Sequence, residues 1–348
     1  MAANCIGLDI GSSAVKVVQL QETRKGLVLQ NFGINPLPVN SIVDGMVMNE
    51  DAVLEAVEAL FGSLRIKRRN VALAISGRSV IVKKISMPRM NMADLAEELS
   101  IEMVHHIPFD KDEVRVDYEV VVPQNAEGQM EVLLVAAKKD IIESYEELLS
   151  RGELVLSVMD VAAFAVQNLY EKCVGIDKDE TLVILNIGAS STSINVVVGG
   201  VTTFIRDVSL GGDGITSEIK RALSVPMDEA EAKKREAALG MSPDQELMEI
   251  VRKVCEVMAG EFQRSIDFFL SAAPPTQRIK MVVTGGGAQM RPLVQAIELR
   301  SKLPVFLFDG FSQGISVDPN KFDMSLLKSQ AATASVALGL ALRRPGDK

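Results

Sequence analysis

Hydrophobic and polar positions change their period several times along this chain, and each change marks an element. Asn4–Ile10 is a nearly continuous apolar run that breaks at Gly11-Ser12-Ser13, and Ala14–Gln21 takes it up again. Thr23-Arg24-Lys25-Gly26 makes a second break before Leu27–Ile34. β-Rich runs joined by tight glycine-containing turns predict a meander whose first hairpin turns at Gly11. Over Glu50–Leu64 the spacing becomes helical, with Val53, Val57, Leu60 and Leu64 on one stripe. Asn70–Ser76 then reads as a buried strand.

From Val80 to Asp160 the rhythm differs. Val80–Met87 predicts a strand, and Met92–His106 a helix entered past Pro88. Val114–Val122 and Met130–Ala137 form a hairpin around Gln124–Gly128, followed by a helix over Lys139–Arg151 and a strand over Leu154–Met159. The order β-α-β-β-α-β is that of a ferredoxin-like unit, which predicts an inserted subdomain over residues 80–159. A helix over Asp160–Tyr170 leads back to the first domain.

Beyond Thr181 the opening pattern returns. Thr181–Ile187, the turn Gly188-Ala189-Ser190-Ser191 and Thr192–Val198 make a hairpin, and Val201–Asp207 follows the Gly199-Gly200 turn. Helices are expected at Gly214–Leu223, Met227–Leu239 and Pro243–Ala272, the last closed by Pro274-Pro275. Ile279–Thr284 is a strand, Gly285–Gly287 a tight turn and Met290–Arg300 a helix; Ala331–Arg344 reads as a packed closing helix. Leu8-Asp9-Ile10-Gly11-Ser12-Ser13 aligns with Leu185-Asn186-Ile187-Gly188-Ala189-Ser190. Two copies this far apart predict two related domains rather than a solenoid. The first domain takes residues 1–79, completed by 160–178 and 330–348. The second takes 179–329, with a helical part at about 214–278.

Composition narrows the function. The 348 residues are 47% apolar and 24% charged, with no Trp and only 4% aromatics, so the core is aliphatic and offers little for base stacking. A formal charge of −9 argues against a nucleic-acid binder, which needs a basic surface. Cys5, Cys173 and Cys255 are scattered, as buried reduced thiols would be. The adjacent His105 and His106 point about 100° apart on a helix and make a poor chelate. No charged leader with a long apolar run opens the sequence at Met1–Asn4, and no stretch is long and apolar enough to span a bilayer.

The two hairpins carry the chemistry. Each strand ends in an acidic or amide residue, then x-Gly, then small hydroxyl residues. Glycine lets the backbone approach a ligand, and successive N–H groups at such a turn make an anion nest suited to phosphate. Asp9 fits a magnesium-bound water, and Lys16 one short strand on meets phosphate charge. Taken singly, either hairpin is an ordinary β-turn; taken as a pair they favour phosphate. Val282-Val283-Thr284-Gly285-Gly286-Gly287 opens a strand through three glycines onto a helix, which suits either a plain turn or a phosphate or ribose contact. Its spacing is not G-x-G-x-x-G, and no G-x-x-x-x-G-K-[ST] is present.

The hairpin Leu8–Ser13 with Lys16, the early inserted unit, Leu210-Gly211-Gly212-Asp213-Gly214-Ile215-Thr216, Ala230-Glu231 followed by Lys234, and Thr284–Gly287 occur here in order. This set resembles the actin-like ATPase superfamily, which includes actin and the sugar kinases. Within it, the sequence is most similar to the branch formed by the cell-division FtsA and type IV pilus assembly PilM families. The resemblance implies an α/β actin-like (RNase H-like) two-domain fold with ATP and Mg2+ in the interdomain cleft. By position, Asp9, Gly11, Ser12, Ser13 and Lys16 would face phosphate and magnesium, with Asp9 acting through water. Gly188, Ala189, Ser190 and Ser191 would form the opposing phosphate loop. Gly211, Gly212, Glu231, Lys234, Gly285, Gly286 and Gly287 would surround the nucleoside. Asn186 departs from the superfamily's usual Asp; an amide holds a water weakly and cannot act as a base, which implies tight ATP binding with slow hydrolysis.

The likeness to the PilM family further implies a cytoplasmic protein held at the inner face of the inner membrane by pilus-platform partners. It would bind the N-terminal cytoplasmic tail of PilN in a groove between the inserted subdomain and the first domain. Val82, Ile85, Met87, Leu95 and Leu99 are candidate lining residues. The superfamily also makes self-association plausible. Two other readings stay open: a small-molecule kinase, for which no polar constellation for a sugar is visible, and an FtsA-like division filament. FtsA ends in an amphipathic membrane helix, whereas Arg343-Arg344-Pro345-Gly346-Asp347-Lys348 has no such pattern.

Overall fold

The computed structural model describes residues 4–272 and 278–347. Its opening apolar runs become strands β1 (Ile6–Ile10), β2 (Ala14–Thr23) and β3 (Gly26–Pro36), and a short hairpin follows, β4 (Ile42–Val43) and β5 (Met46–Val47). Helix α1 (Glu50–Ser63) starts where the Asn49 side chain accepts the Ala52 N–H, with Glu50 and Asp51 in the first turn. Such capping satisfies an orphan donor and sets acidic groups against the positive helix end. Strand β6 (Asn70–Ile75) then pairs in parallel with β1.

The order of elements over 80–159 is as the sequence predicts: β7 (Val80–Pro88), α2 (Met92–His106), β8 (Val114–Val122), β9 (Gln129–Lys138), α3 (Lys139–Arg151) and β10 (Val155–Val161). The pairing is not. The insert has a three-stranded sheet in the order β7-β9-β8, and β10 leaves it to pair in parallel with β6 from Val155↔Asn70 to Val161↔Ile75. The reason lies in α3, which buries Ile141, Tyr145, Leu148 and Leu149 in the core under the first sheet and carries β10 there. The ferredoxin-like sheet is therefore not closed. The strands forming the insert's own sheet end at Lys138, and α2 covers one face of them.

Helix α4 (Ala162–Cys173) leads into β11 (Thr181–Ile187), β12 (Thr192–Val198) and β13 (Val201–Val208). Helices α5 (Gly212–Leu223), α6 (Met227–Ala237) and α7 (Gln245–Ala272) precede β14 (Ile279–Thr284), α8 (Arg291–Ser301) and β15 (Val305–Leu307). The Pro274-Pro275 stop expected after α7 lies outside the described residues, as do Met1–Ala3. The second sheet runs β13-β12-β11-β14-β15, and the first runs β3-β2-β1-β6-β10 in the matching order, with the short β16 (Ile315–Ser316) beyond β3. Both halves thus share one plan, an antiparallel meander extended by two parallel strands, as the repeated hairpin predicts.

Helices α9 (Met324–Gln330) and α10 (Ser335–Leu340) end the fold. The closing helix expected over Ala331–Arg344 is shorter, and every residue of α10 is buried. Small residues make that possible: a Cβ on Gly339 would lie 1.9 Å from the Ala165 carbonyl oxygen, and one on Gly7 would lie 2.0 Å from that of Ala337. Helices α4 and α10 share one core with Val18 and Ala72 of the first sheet and with Leu182, Ile184 and Val282 of the second. The three cysteines are free, and burial pushes the Cys5 and Cys173 thiols up to about 11 and Cys255 to about 12. Among the described residues, no helix is long and apolar enough to cross a membrane.

Candidate functional site

The first hairpin is built by the β1–β2 ladder, whose last pair is Ile10↔Val15. The tip Gly11–Ala14 stands beyond it, closed by the Gly11 N–H donating to the Ala14 carbonyl at 3.1 Å. Asp9 and Lys16 are cross-strand partners, and the ammonium lies 2.9 Å from Asp9 Oδ2. The Lys16 side chain is buried, and its Nζ sits 3.0 Å from where a Cβ on Gly11 would stand. Glycine at 11 therefore leaves the cation its place directly beside the turn. Tyr145 of α3 also senses this site. Burial, and after it the Asp9 charge, raises its phenol above the usual range, while its hydroxyl donates to the Gly45 carbonyl at 3.0 Å.

The second hairpin repeats the shape and changes the charge. Its ladder ends at Ile187↔Thr192, and the Gly188 N–H closes the tip on the Ser191 carbonyl at 2.8 Å. Asn186 faces Ser193, so an amide and a hydroxyl stand where the first hairpin has a carboxylate and an ammonium.

The Gly-Gly segment and α6 gather on this second hairpin. Gly212 and Asp213 donate their N–H groups to the Gly188 and Ala189 carbonyls at 3.0 and 2.8 Å. A Cβ on Gly211 would lie 2.3 Å from the Ala189 oxygen, so only glycine permits this seat. Lys234 donates to the Gly212 carbonyl at 3.3 Å and pairs with Glu231 at 2.6 Å, and Glu231 accepts the Thr216 hydroxyl at 2.7 Å. Burial opposes ionisation of Glu231, but its bonds from Lys234 and Thr216 prevail and hold the carboxyl below its ordinary range. The Ala-Glu-x-x-Lys helix is thus tied to the glycine segment through three side chains. Gly211 and Gly212 are buried beneath that contact.

The third loop arrives on β14, which runs parallel to β11 with Thr284 beside Asn186. Gly285 has φ +85°, and a Cβ there would lie 2.4 Å from the Ile187 oxygen and 2.7 Å from Asn186 Oδ1. The buried Thr284 hydroxyl meets Ser335 Oγ at 2.6 Å and anchors the loop to α10. Gly286 is exposed. Three glycine loops therefore converge past the carboxyl ends of two parallel strands, where open α/β sheets bind their ligands.

Asp9, Gly11 and Lys16 come together at one hairpin, and Asn186, Gly188, Ala189, Gly211, Gly212, Glu231, Lys234, Gly285 and Gly287 at the other. Ser12, Ser13, Ser190 and Ser191 lie on the tips. The five residues expected to line a peptide groove stand apart, in the insert. Ile85, Met87, Leu95 and Leu99 are core, packed between α2 and the sheet, and Val82 alone of the five is half-buried on β7. Sequence reasoning missed Tyr145 and Asp207, the latter beside Ser193 at the end of β13. Among the described residues no cluster of three or more His, Cys, Asp or Glu side chains is suited to a metal. A divalent ion at Asp9 would draw its other ligands from water and a bound phosphate, as magnesium usually does. The donor set fits a magnesium nucleotide, with one carboxylate, one lysine and two hairpin tips. His105 and His106 end α2, with His106 3.6 Å from Glu102.

A family described as Type IV pilus assembly protein PilM matches residues 7–345. FtsA of Bacillus subtilis is 21% identical over 258 residues, covering 66% of this chain and 57% of that protein. FtsA of Pseudomonas aeruginosa is 22% identical over 248 residues, covering 65% and 59%. The chain thus matches less than three-fifths of the length of these curated relatives. Among solved structures, a PilM-PilN type IV pilus biogenesis complex aligns at a TM-score of 0.87 with 27% identity, over 98% of both chains. MreB5 of Spiroplasma citri bound to ADP aligns at 0.56 with 14% identity, over 98% of this chain and 95% of that one, a likeness of fold alone. With paired hairpins on a duplicated sheet plan, and a family match running almost from end to end, this chain belongs to the type IV pilus assembly protein PilM family and has its actin-like fold.

Proposed function

We propose that this chain is an ATP-binding assembly protein of the type IV pilus platform, holding magnesium-bound nucleotide at the two hairpins and receiving the N-terminal tail of PilN on its insert. The observation that carries the nucleotide reading is the unequal pair of hairpins. Asp9 and Lys16 supply charge at one, and neutral backbone-rich loops supply shape at the other. Bound magnesium would neutralise phosphate charge. Asp9 would hold it through water, Lys16 would turn to the phosphates, and the tips at 12–13 and 189–191 would donate N–H groups. Asn186 lacks the carboxylate needed to accept a proton from water, which supports binding and slow turnover rather than rapid hydrolysis. Location at the inner face of the inner membrane, through PilN and other platform proteins, follows from the same reading, as does self-association of an actin-like chain.

Since Ile85, Met87, Leu95 and Leu99 are buried, we assign the peptide to another face of the insert. Strand parity puts Val82, Leu133 and Val135 on the sheet face opposite α2, with Val82 paired to Val135. All three are half-buried. The next pair inward on that face, Val80 and Ala137, packs on the first domain's core, so the strip runs outward from the junction of insert and first domain. The Lys84–Glu131 ion pair, at 2.9 Å, and Asp117 and Glu119 rim it. An apolar strip with a charged rim suits a short peptide bearing apolar anchors. Fluorescence anisotropy with a synthetic PilN tail checks this. Leu133→Asp is expected to weaken binding about tenfold or more with the melting temperature kept within a few degrees. Wild-type protein that binds no platform tail would remove the assembly reading.

A further inference from the structure

The second hairpin reaches the root of the insert, and it does so through side chains that the nucleotide reading leaves unused. On the second-domain side, Asp207 Oδ2 accepts the Gly77 N–H at 2.6 Å, a bond between residues 130 apart in sequence. Gly77 opens the turn of 77–79 that leads directly into β7, and its φ of +76° shows a turn shaped for glycine. Asp207 also receives the Ser193 hydroxyl, and Ser193 is the cross-strand partner of Asn186. Asp207, Ser193, Asn186 and Thr284 therefore form one row across the second sheet, at the level where its glycine loops leave. On the first-domain side, the Tyr145 hydroxyl donates to the Gly45 carbonyl, and Gly45 lies against Ser76, just before the same turn, and Ser79, its last residue.

The Asp207 carboxylate is unusual in what surrounds it. Both of its donors are neutral, and burial pushes its acid above the usual range although the Gly77 N–H and the Ser193 hydroxyl pull it down. A buried carboxylate with only neutral donors depends on those hydrogen bonds to offset its desolvation, which ties its position to Gly77 and Ser193.

We propose that Asp207 is a positioning residue, a clasp through which nucleotide at the second hairpin sets the position of the insert, and hence of the peptide strip it carries. The proposal rests on the nucleotide reading above. A phosphate on the tip 188–191 fixes the β11–β12 hairpin and Ser193 with it. That tightens the Ser193–Asp207–Gly77 path and holds the 77–79 turn against β13.

Hydrogen exchange on the full chain, with Mg2+ and the non-hydrolysable analogue AMPPNP, tests this. In wild-type protein AMPPNP is expected to slow exchange at the hairpin tips and, about tenfold or more, over residues 76–82. In Asp207→Ala, and in Asp207→Leu, which keeps side-chain bulk without an acceptor, the tips remain protected and the response over 76–82 is lost. Asp207→Asn keeps an acceptor oxygen and restores it. Persistence of the 76–82 response in both the Ala and Leu variants overturns the clasp while leaving the nucleotide site standing. No protection of the tips in wild-type protein overturns the nucleotide reading and the clasp with it.

Discussion

Gly285→Ala is expected to lower the melting temperature by about 5 °C and to abolish nucleotide binding, whereas Gly286→Ala one position on leaves the melting temperature nearly unchanged. At Gly285 the backbone sits at φ +85° and ψ 169°, a region open to glycine alone, and a side chain there is strained by about 1–3 kcal/mol. The new Cβ would also stand 2.4 Å from the carbonyl oxygen of Ile187, a residue held in the β11–β12 ladder opposite Thr192. Overpacking of that kind adds about 1–3 kcal/mol, and a total near 4 kcal/mol corresponds to roughly 5 °C in a chain of this length. Relief would push the loop away from Ile187 and Asn186, opening the place where the two glycine loops meet. At Gly286 the nearest atom to a Cβ is the Thr333 hydroxyl at 3.5 Å, an ordinary contact. Thermal melts of the two variants decide the matter, and equal behaviour would mean that the close approach at 285 does not constrain the site.

Lys16→Met is expected to cost about 3 kcal/mol of stability and to weaken ATP binding about a hundredfold. The Lys16 and Asp9 side chains are 9% and 17% exposed, so removing the ammonium strands a carboxylate with little water to receive it. Such single-partner deletions are costly because the remaining charge stays buried. Methionine keeps the apolar stem, which isolates the charge from the packing. Adding Asp9→Asn to Lys16→Met should recover most of the stability without recovering the nucleotide, since the stranded charge is gone but the phosphate partner is not. Denaturant titration and calorimetry on the single and double variants separate the two effects. Unchanged ATP affinity in Lys16→Met would remove the lysine from the site.

The hairpins were legible in the sequence because their chemistry is local. A strand, a glycine and a pair of hydroxyl residues lie within a few positions, and the repeat displays the pattern twice. The membership of β10 was not legible. Periodicity shows that Lys139–Arg151 is amphipathic, but not that Tyr145 and Leu149 face the first sheet rather than the insert. The burial of the candidate groove residues was hidden for a related reason. Ile85, Met87, Leu95 and Leu99 carry the same apolar signature whether they line a groove or fill a core, and only the pairing of β7 with β9 shows which face α2 covers. Asp207 ends an unremarkable strand. Its meaning comes from Gly77, a residue 130 positions away that no short pattern connects to it. The asymmetry between Asp9 and Asn186 was visible at once, yet its consequence depended on Lys16, which the ladder places directly across from Asp9.

Titration of the purified chain with ATP, with and without Mg2+, tests the central claim most directly. One saturable site per chain is expected, tighter with Mg2+ than without, and in Asp9→Ala the dependence on Mg2+ should vanish as the affinity falls. Absence of saturable binding with Mg2+ present, or an Asp9→Ala variant that binds as the wild type does in both conditions, would contradict a nucleotide site at the two hairpins.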